Sequence, residues 1–114
     1  MRREDIKRLA GEREKSIQKQ ILDLLALYGV EAVKIQNGMP GGRYSVGKKA
    51  TPDIMGCLPG GRHLAIEVKK PGGVATNEQL ERVDRLVTMG AVAFVTDSVD
   101  EVRQIVETEV RRWK

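Results

Sequence analysis

Apolar side chains recur at helical spacing from about Glu12 to Tyr28, where Ile17, Ile21, Leu24, Leu25 and Tyr28 fall on one face and Gly29 supplies a stop. The pattern predicts an α-helix there. Residues 1–13 carry mixed charge and are expected either to fray or to extend that helix. Glu31 to Gln36 alternates between polar and apolar positions and predicts a strand. Residues 37–50 hold four glycines, a proline and three basic residues, the composition of a long loop. Asp53–Leu58 and His63–Lys69 are short apolar runs separated by Pro59-Gly60-Gly61-Arg62, which predicts a β-hairpin. After the break at Pro71-Gly72-Gly73, Thr76 to Met89 predicts a second helix with Leu80, Val83, Leu86 and Val87 on one face. Ala91–Thr96 is a buried-strand pattern. Ser98 opens a last helix, with Glu101 completing a capping box and Val102, Ile105, Val106 and Val110 as its apolar stripe.

The order is therefore α-β-β-β-α-β-α: an α/β fold, with a central mixed sheet flanked by helices. The 114 residues suit one domain, and no internal repeat interrupts them. Apolar residues make up 40 % and charged residues 32 %, enough for a core and too apolar for wholesale disorder. No apolar run approaches the ~18–20 residues a membrane helix needs. The lone Cys57 cannot form an internal disulfide, so a cytoplasmic protein is expected.

Charge alters the picture through its placement. Between Ala32 and Asn77 lie Lys34, Arg43, Lys48, Lys49, Arg62, Lys69 and Lys70 against only Asp53 and Glu67, a net +5 in a chain whose total is +4. Such a window attracts polyanions. Arg43, Tyr44, Lys48 and Lys49 of the glycine-rich loop, with Lys70, are the expected phosphate contacts for DNA, because glycines let main chain approach phosphate closely.

The two acids inside this window carry the candidate chemistry. A hairpin centred near Gly60 sets residues whose numbers sum to about 120 opposite one another, which pairs Asp53 with Glu67. Strand alternation sends Glu67 and Lys69 to one face, and Leu64, Ile66 and Val68 to the other. Two adjacent carboxylates repel unless neutralised. Lys69 is one neutraliser, and oxygen ligands without a Cys or His cluster point to Mg²⁺ or Mn²⁺ as the second. A hard cation beside a lysine suits hydrolysis of a phosphodiester. The lone His63 and Trp113 are assigned no chemistry; Trp113 is expected to pack or to make a subunit contact.

Thr51-Pro52-Asp53 followed by Glu67-Val68-Lys69 resembles the PD-(D/E)XK nuclease motif. The wider pattern resembles the VRR-NUC (virus-type replication-repair nuclease) branch, in its stand-alone phage or bacterial type. The matching pieces are Glu14-Lys-Ser-Ile-Gln-Lys-Gln-Ile-Leu, Asn37-Gly-Met, Thr-Pro-Asp-Ile, Ala-Ile-Glu-Val-Lys-Lys, Thr76-Asn-Glu-Gln79 and Gly90-Ala-Val-Ala. Thr51 stands where many members carry an apolar residue. The resemblance implies a restriction-endonuclease-like αβββαβ(α) core and a metal-dependent, structure-selective DNA endonuclease acting on branched DNA such as Holliday junctions as a homodimer. It implies no organic cofactor. The alternative is an inactive nuclease-fold module that only binds DNA.

The resemblance also implies that Glu14 and Gln79 join Asp53, Glu67 and Lys69 as catalytic residues, with Asp53, Glu67 and the Val68 carbonyl holding the metal. Stepping ~100° per residue, the apolar stripe of the first helix falls within about 80° of Glu14, an unusual place for an unpartnered charge. Gln18, one turn on, is positioned to support it. Gln79 carries two readings: a site residue, or the closing half of a Thr76-x-x-Gln79 capping box.

Overall fold

The computed structural model describes residues 2–35 and 51–113, apart from the side chains of residues 7 and 10. Seven elements follow in chain order: α1 (Arg3–Leu27), β1 (Glu31–Lys34), β2 (Ile54–Cys57), β3 (His63–Val68), α2 (Asn77–Thr88), β4 (Val92–Thr96) and α3 (Val99–Trp113). The expected α/β order holds. The first helix reaches back to Arg3, so the N-terminal charges extend it rather than fray. Arg8 pairs with Asp5 one turn away, at 3.7 Å, in keeping with a solvated helical surface.

The strands line up as β1-β2-β3-β4, with the first two pairings antiparallel and β3–β4 parallel. The mixed sheet follows from chain length: five residues turn β2 into β3, whereas reaching β4 parallel to β3 requires the α2 crossover. Ile54 pairs with Ile66, Met55 with Ala65, Gly56 with Leu64 and Cys57 with His63. Every pair sums to 120, the register read from the Pro-Gly-Gly turn. Gly60 and Gly61 sit at φ +90° and +87°, a region that side chains with a Cβ rarely enter.

Ile21 and Leu25 of α1, Ile54 and Leu58, Leu64, Ile66 and Val68 of β3, and Val102 and Val106 of α3 form one core. These residues mark the sheet face covered by α1 and α3. The other face is thinner. Ala65 and Glu67 are buried there, but α2 contains no fully buried residue and leaves Leu80 51 % and Val87 49 % exposed. The stripe expected to pack α2 is therefore only half covered, because this helix lies chiefly over β4, an edge strand.

Caps meet expectation with one change. Ser98 Oγ accepts from the Glu101 N–H at 3.3 Å, but the Ser98 N–H donates to Thr96 Oγ1 at 3.1 Å and does not need the Glu101 carboxylate. No helix among the described residues is long and apolar enough to cross a membrane.

Candidate active site

The site lies at the open end of the β2–β3 hairpin, opposite the glycine turn. Buried Pro52 fixes the approach to β2 and leaves Asp53 one residue before the strand. Its Oδ2 accepts from the Val68 N–H at 2.8 Å, and its main-chain carbonyl accepts from the Ile35 N–H at 2.7 Å. Asp53 is thus tied to β3 on one side and to the end of β1 on the other. Lys69 is held just past β3, where its N–H donates to the Thr96 carbonyl at 2.8 Å.

Glu67 is only 5 % exposed. Lys69 Nζ stands 4.0 Å from its Oε1, and Gln79 Nε2 donates to the same oxygen at 2.8 Å. Burial, then the charge of Asp53 and a hydrogen bond with it, push the Glu67 carboxyl from the ordinary 4.5 to about 8, with Lys69 opposing and Glu14 adding to the rise. A carboxyl so placed keeps its proton unless more positive charge arrives.

Gln79 resolves into both of its readings at once. Thr76 Oγ1 accepts from the Gln79 N–H at 3.1 Å, and Gln79 Oε1 accepts from the Thr76 N–H at 2.9 Å, which completes the capping box. The other end of the same amide, Nε2, reaches Glu67. As a site residue Gln79 meets the Glu67 carboxyl, since one side chain spans from the start of α2 to β3.

Glu14 is half-buried and turned towards this cluster. Burial first, and then the Asp53 charge, raise its carboxyl above the ordinary range, while Lys69 and Lys70 pull it back. Glu14 walls two adjoining clefts. One, of about 380 Å³, includes Lys15, Gln18, Lys34, Ile35 and Asp53; the other, of about 360 Å³, includes Ile6, Lys69, Lys70 and Val74. Glu14, Asp53, Glu67, Lys69, Lys70 and Gln79 therefore come together around one end of the sheet. Arg43, Tyr44, Lys48 and Lys49 lie outside the described residues. His63 is exposed at the far end of the hairpin, and Trp113 packs over Gly60 there.

Sequence reasoning missed Lys15 and Lys34. The signal for Lys34 is a register: it pairs with Ile54, one residue from Asp53, but residues 36–50 separate β1 from β2 in the chain and hide that pairing.

Among the described residues, no three carboxylate, imidazole or thiolate groups converge as a ready-made cation cage. What exists is an all-oxygen pair, Asp53 and Glu67, in which burial first and the Asp53 charge second favour the protonated form of Glu67. That donor set fits a hard divalent ion taking one or two carboxylates and filling its remaining positions with water and substrate phosphate.

No family model matches the chain. It is 33 % identical over 88 residues to a protein of Acyrthosiphon pisum secondary endosymbiont phage 1 whose name reads "Putative nuclease p44", covering 77 % of this chain and 86 % of that protein. A solved VRR_NUC domain superposes with a TM-score of 0.66 at 25 % identity, over 83 % of this chain and 95 % of the other. A second, a VRR_NUC domain protein, gives 0.65 at 22 % identity over 86 % and 88 %, a likeness of fold alone. The phage relative and the first of these structures each cover most of the chain, one by sequence and the other by fold, and on that basis the chain belongs to the VRR-NUC family.

Proposed function

We propose that the protein is a metal-dependent endodeoxyribonuclease whose catalytic residues are Glu14, Asp53, Glu67, Lys69 and Gln79. The observation that carries this reading is Glu67: a carboxyl buried in the sheet, opposite Asp53 and 4.0 Å from Lys69, behind clefts that Asp53 and Lys69 line together with Lys15, Lys34 and Lys70. A structural carboxylate would gain nothing from a second one beside it.

Asp53, Glu67 and the Val68 carbonyl would hold Mg²⁺ or Mn²⁺, which when bound polarises the scissile phosphate and lowers the pKa of its water. Gln79 takes up one oxygen of Glu67 and fixes the rotamer, leaving the other oxygen for the site. The Lys69 ammonium orients the attacking water and offsets the negative charge that grows on the phosphate oxygens. Water gives up a proton to solvent as it adds to phosphorus, the P–O bond to one sugar breaks, and the departing alkoxide takes a proton from solvent. Glu14 lines one cleft together with Asp53 and assists in ordering water there. Lys70, together with Arg43, Tyr44, Lys48 and Lys49, supplies phosphate contacts.

Selectivity for branched DNA, including Holliday junctions, and action as a homodimer rest on the family resemblance, since a two-fold junction needs two symmetric cuts. The experiment is incubation of labelled linear duplex, single strand, flap and four-way junction with Mg²⁺, Mn²⁺ or EDTA, alongside Lys69→Ala. Cutting that requires metal and vanishes in the variant is expected, with branched DNA cut fastest. No cutting of any substrate while DNA is still bound would leave a binding module instead.

A further inference from the structure

The cleft on the Asp53 side of Glu14 contains a feature that the hydrolytic residues do not use. Gln18 is 6 % exposed, and its Oε1 has no hydrogen-bond partner among the described residues. Buried polar atoms left unpaired are rare and cost about 1–3 kcal/mol each. The Gln18 residue lines a cleft of about 380 Å³ together with Glu14, Lys15, Lys34, Ile35 and Asp53, a volume within the range of small-ligand sites, and a rotation of its amide turns the buried oxygen to an occupant. Lys15 and Lys34 are both exposed and belong to different elements, α1 and β1. The Ile35 N–H bond to the Asp53 carbonyl fixes the end of β1 against the site, so the cleft and the carboxylates form a continuous surface.

The occupant must bring negative charge for two lysines and a hydrogen-bond donor for a buried carbonyl oxygen. Within a DNA strand, phosphodiesters carry the charge but have no donor, and the chain's deoxyriboses have no free hydroxyl. The donors of DNA are base N–H groups. In a duplex those of the pairing edge are engaged, so the base that can turn one towards a pocket is unpaired.

We propose that this cleft is a subsite for one unpaired nucleotide next to the scissile phosphate, with its phosphate on Lys15 and Lys34 and a base N–H donated to Gln18 Oε1. The assignment rests on the nuclease reading for its orientation to the cut, and it gives that reading a physical source of preference for DNA whose pairing is interrupted. Apolar Ile35 offers the base a wall, and Gln18 stands one helical turn from Glu14, so reading the nucleotide and setting the catalytic carboxylates use the same rigid stretch of α1.

The test is binding in EDTA, followed by fluorescence anisotropy, of labelled oligothymidylate and of an abasic strand of equal length to the full-length protein. Oligothymidylate is expected to bind roughly 5-fold or more tightly than the abasic strand, the value of about one hydrogen bond. Gln18→Met removes that advantage, leaves the abasic strand unaffected, and holds or raises the melting temperature because an unpaired buried carbonyl is gone. Lys15→Ala with Lys34→Ala flattens the log–log salt dependence on both strands by about 0.7, the value of the one phosphate contact that the two lysines share. Arg111→Ala with Arg112→Ala, an equal loss of charge at the far end of α3, does not. Equal weakening of both strands by Gln18→Met, a fall in its melting temperature, or a salt slope no flatter than that of the arginine control would overturn the subsite. Cleavage assays on the same proteins separate the two readings: the subsite can fail while cutting persists, and cutting can be absent while the binding pattern holds.

Discussion

The two ends of the β2–β3 hairpin are built from the same two strands in one register, yet they treat charge in opposite ways. At the turn end, Arg62 donates to the Gly90 carbonyl at 3.1 Å and pairs with Glu109 at 2.9 Å, while Glu109 also meets Arg112 at 3.7 Å. On the neighbouring α1–α3 seam, Glu107 accepts from the Tyr28 hydroxyl and pairs with Arg103. The Tyr28 bond, followed by that of Arg103, draws its carboxyl below the ordinary range. At the open end, Asp53 and Glu67 sit side by side with Glu14 within reach of their charge, and burial together with that like charge pushes both glutamates up. A fold needing only stability would treat both ends like the first. The contrast separates charges that hold the structure from charges that await a ligand.

The sharpest way to break the contrast is to remove a charge from the open end. Asp53→Asn keeps an oxygen for the Val68 N–H but removes half of the carboxylate pair, and Lys69→Ala removes the ammonium. Each is expected to lower metal-dependent cleavage by at least ~10³-fold while the far-ultraviolet circular dichroism stays the same. Residual cutting within about tenfold of the parent protein would mean that the chemistry lies elsewhere.

Gln79 tests whether one amide serves both cap and site. Gln79→Glu keeps an acceptor for the Thr76 N–H, so the box survives, but it replaces the donor to Glu67 with another carboxylate. Cleavage is expected to fall by ~10²-fold with a stability change under about 1 kcal/mol. A loss of activity that merely tracked the loss of helix stability would reduce Gln79 to a cap.

The next effect is thermodynamic. Unfolded, Glu67 releases its proton near 4.5; folded, near 8. Between those values the folded state holds the extra proton, so the stability this group contributes is present below pH 4.5 and lost as pH rises through 8. A divalent cation must displace that proton at about pH 6 but not at about pH 9. Added Mg²⁺ should therefore stabilise the fold more at the higher pH, by roughly 2–3 kcal/mol, and raise the melting temperature accordingly. Glu67→Gln should abolish both the alkaline loss and the difference. An equal Mg²⁺ response at both pH values would contradict the assignment of Glu67 to the cation.

How much of this was legible beforehand depended on whether the cause was local. The hairpin register was legible because Pro59-Gly60-Gly61 admits few turns and fixes each opposing pair; Asp53 and Glu67 followed from it. The α1 stripe was legible from periodicity, and Glu14 showed as a charge intruding on it. The start of α1 at Arg3 was left open between fraying and helix, since Ile6, Leu9 and Ala10 give the apolar period only once before Gly11 and a charged run interrupt it. The half-exposure of α2 depends on its resting over an edge strand, a matter of sheet order that its own amphipathic pattern does not contain. Lys34 and the stranded Gln18 oxygen depend on contacts between elements separated in sequence. Gln79 was ambiguous because the capping box and the contact to Glu67 use opposite ends of the same group.

The smallest effect belongs to the turn end, where the contrast requires that charge be merely structural. Arg62 is 45 % exposed on its side chain and Glu109 16 %, so the pair is partly screened, and Arg112 remains to share Glu109 when Arg62 is gone. Arg62→Met keeps much of the aliphatic stem and should cost about 0.5–1 kcal/mol in a denaturant titration. Because the change lies at the far end of the hairpin and touches none of the groups around Glu67, cleavage should stay within roughly twofold, as expected for sites that share no partner. A tenfold loss of cutting at unchanged stability would place Arg62 in the DNA interface and erase the distinction between the two ends. A cost confined to stability would leave the turn end with the single task of holding β2 and β3 in the register on which Asp53 and Glu67 depend.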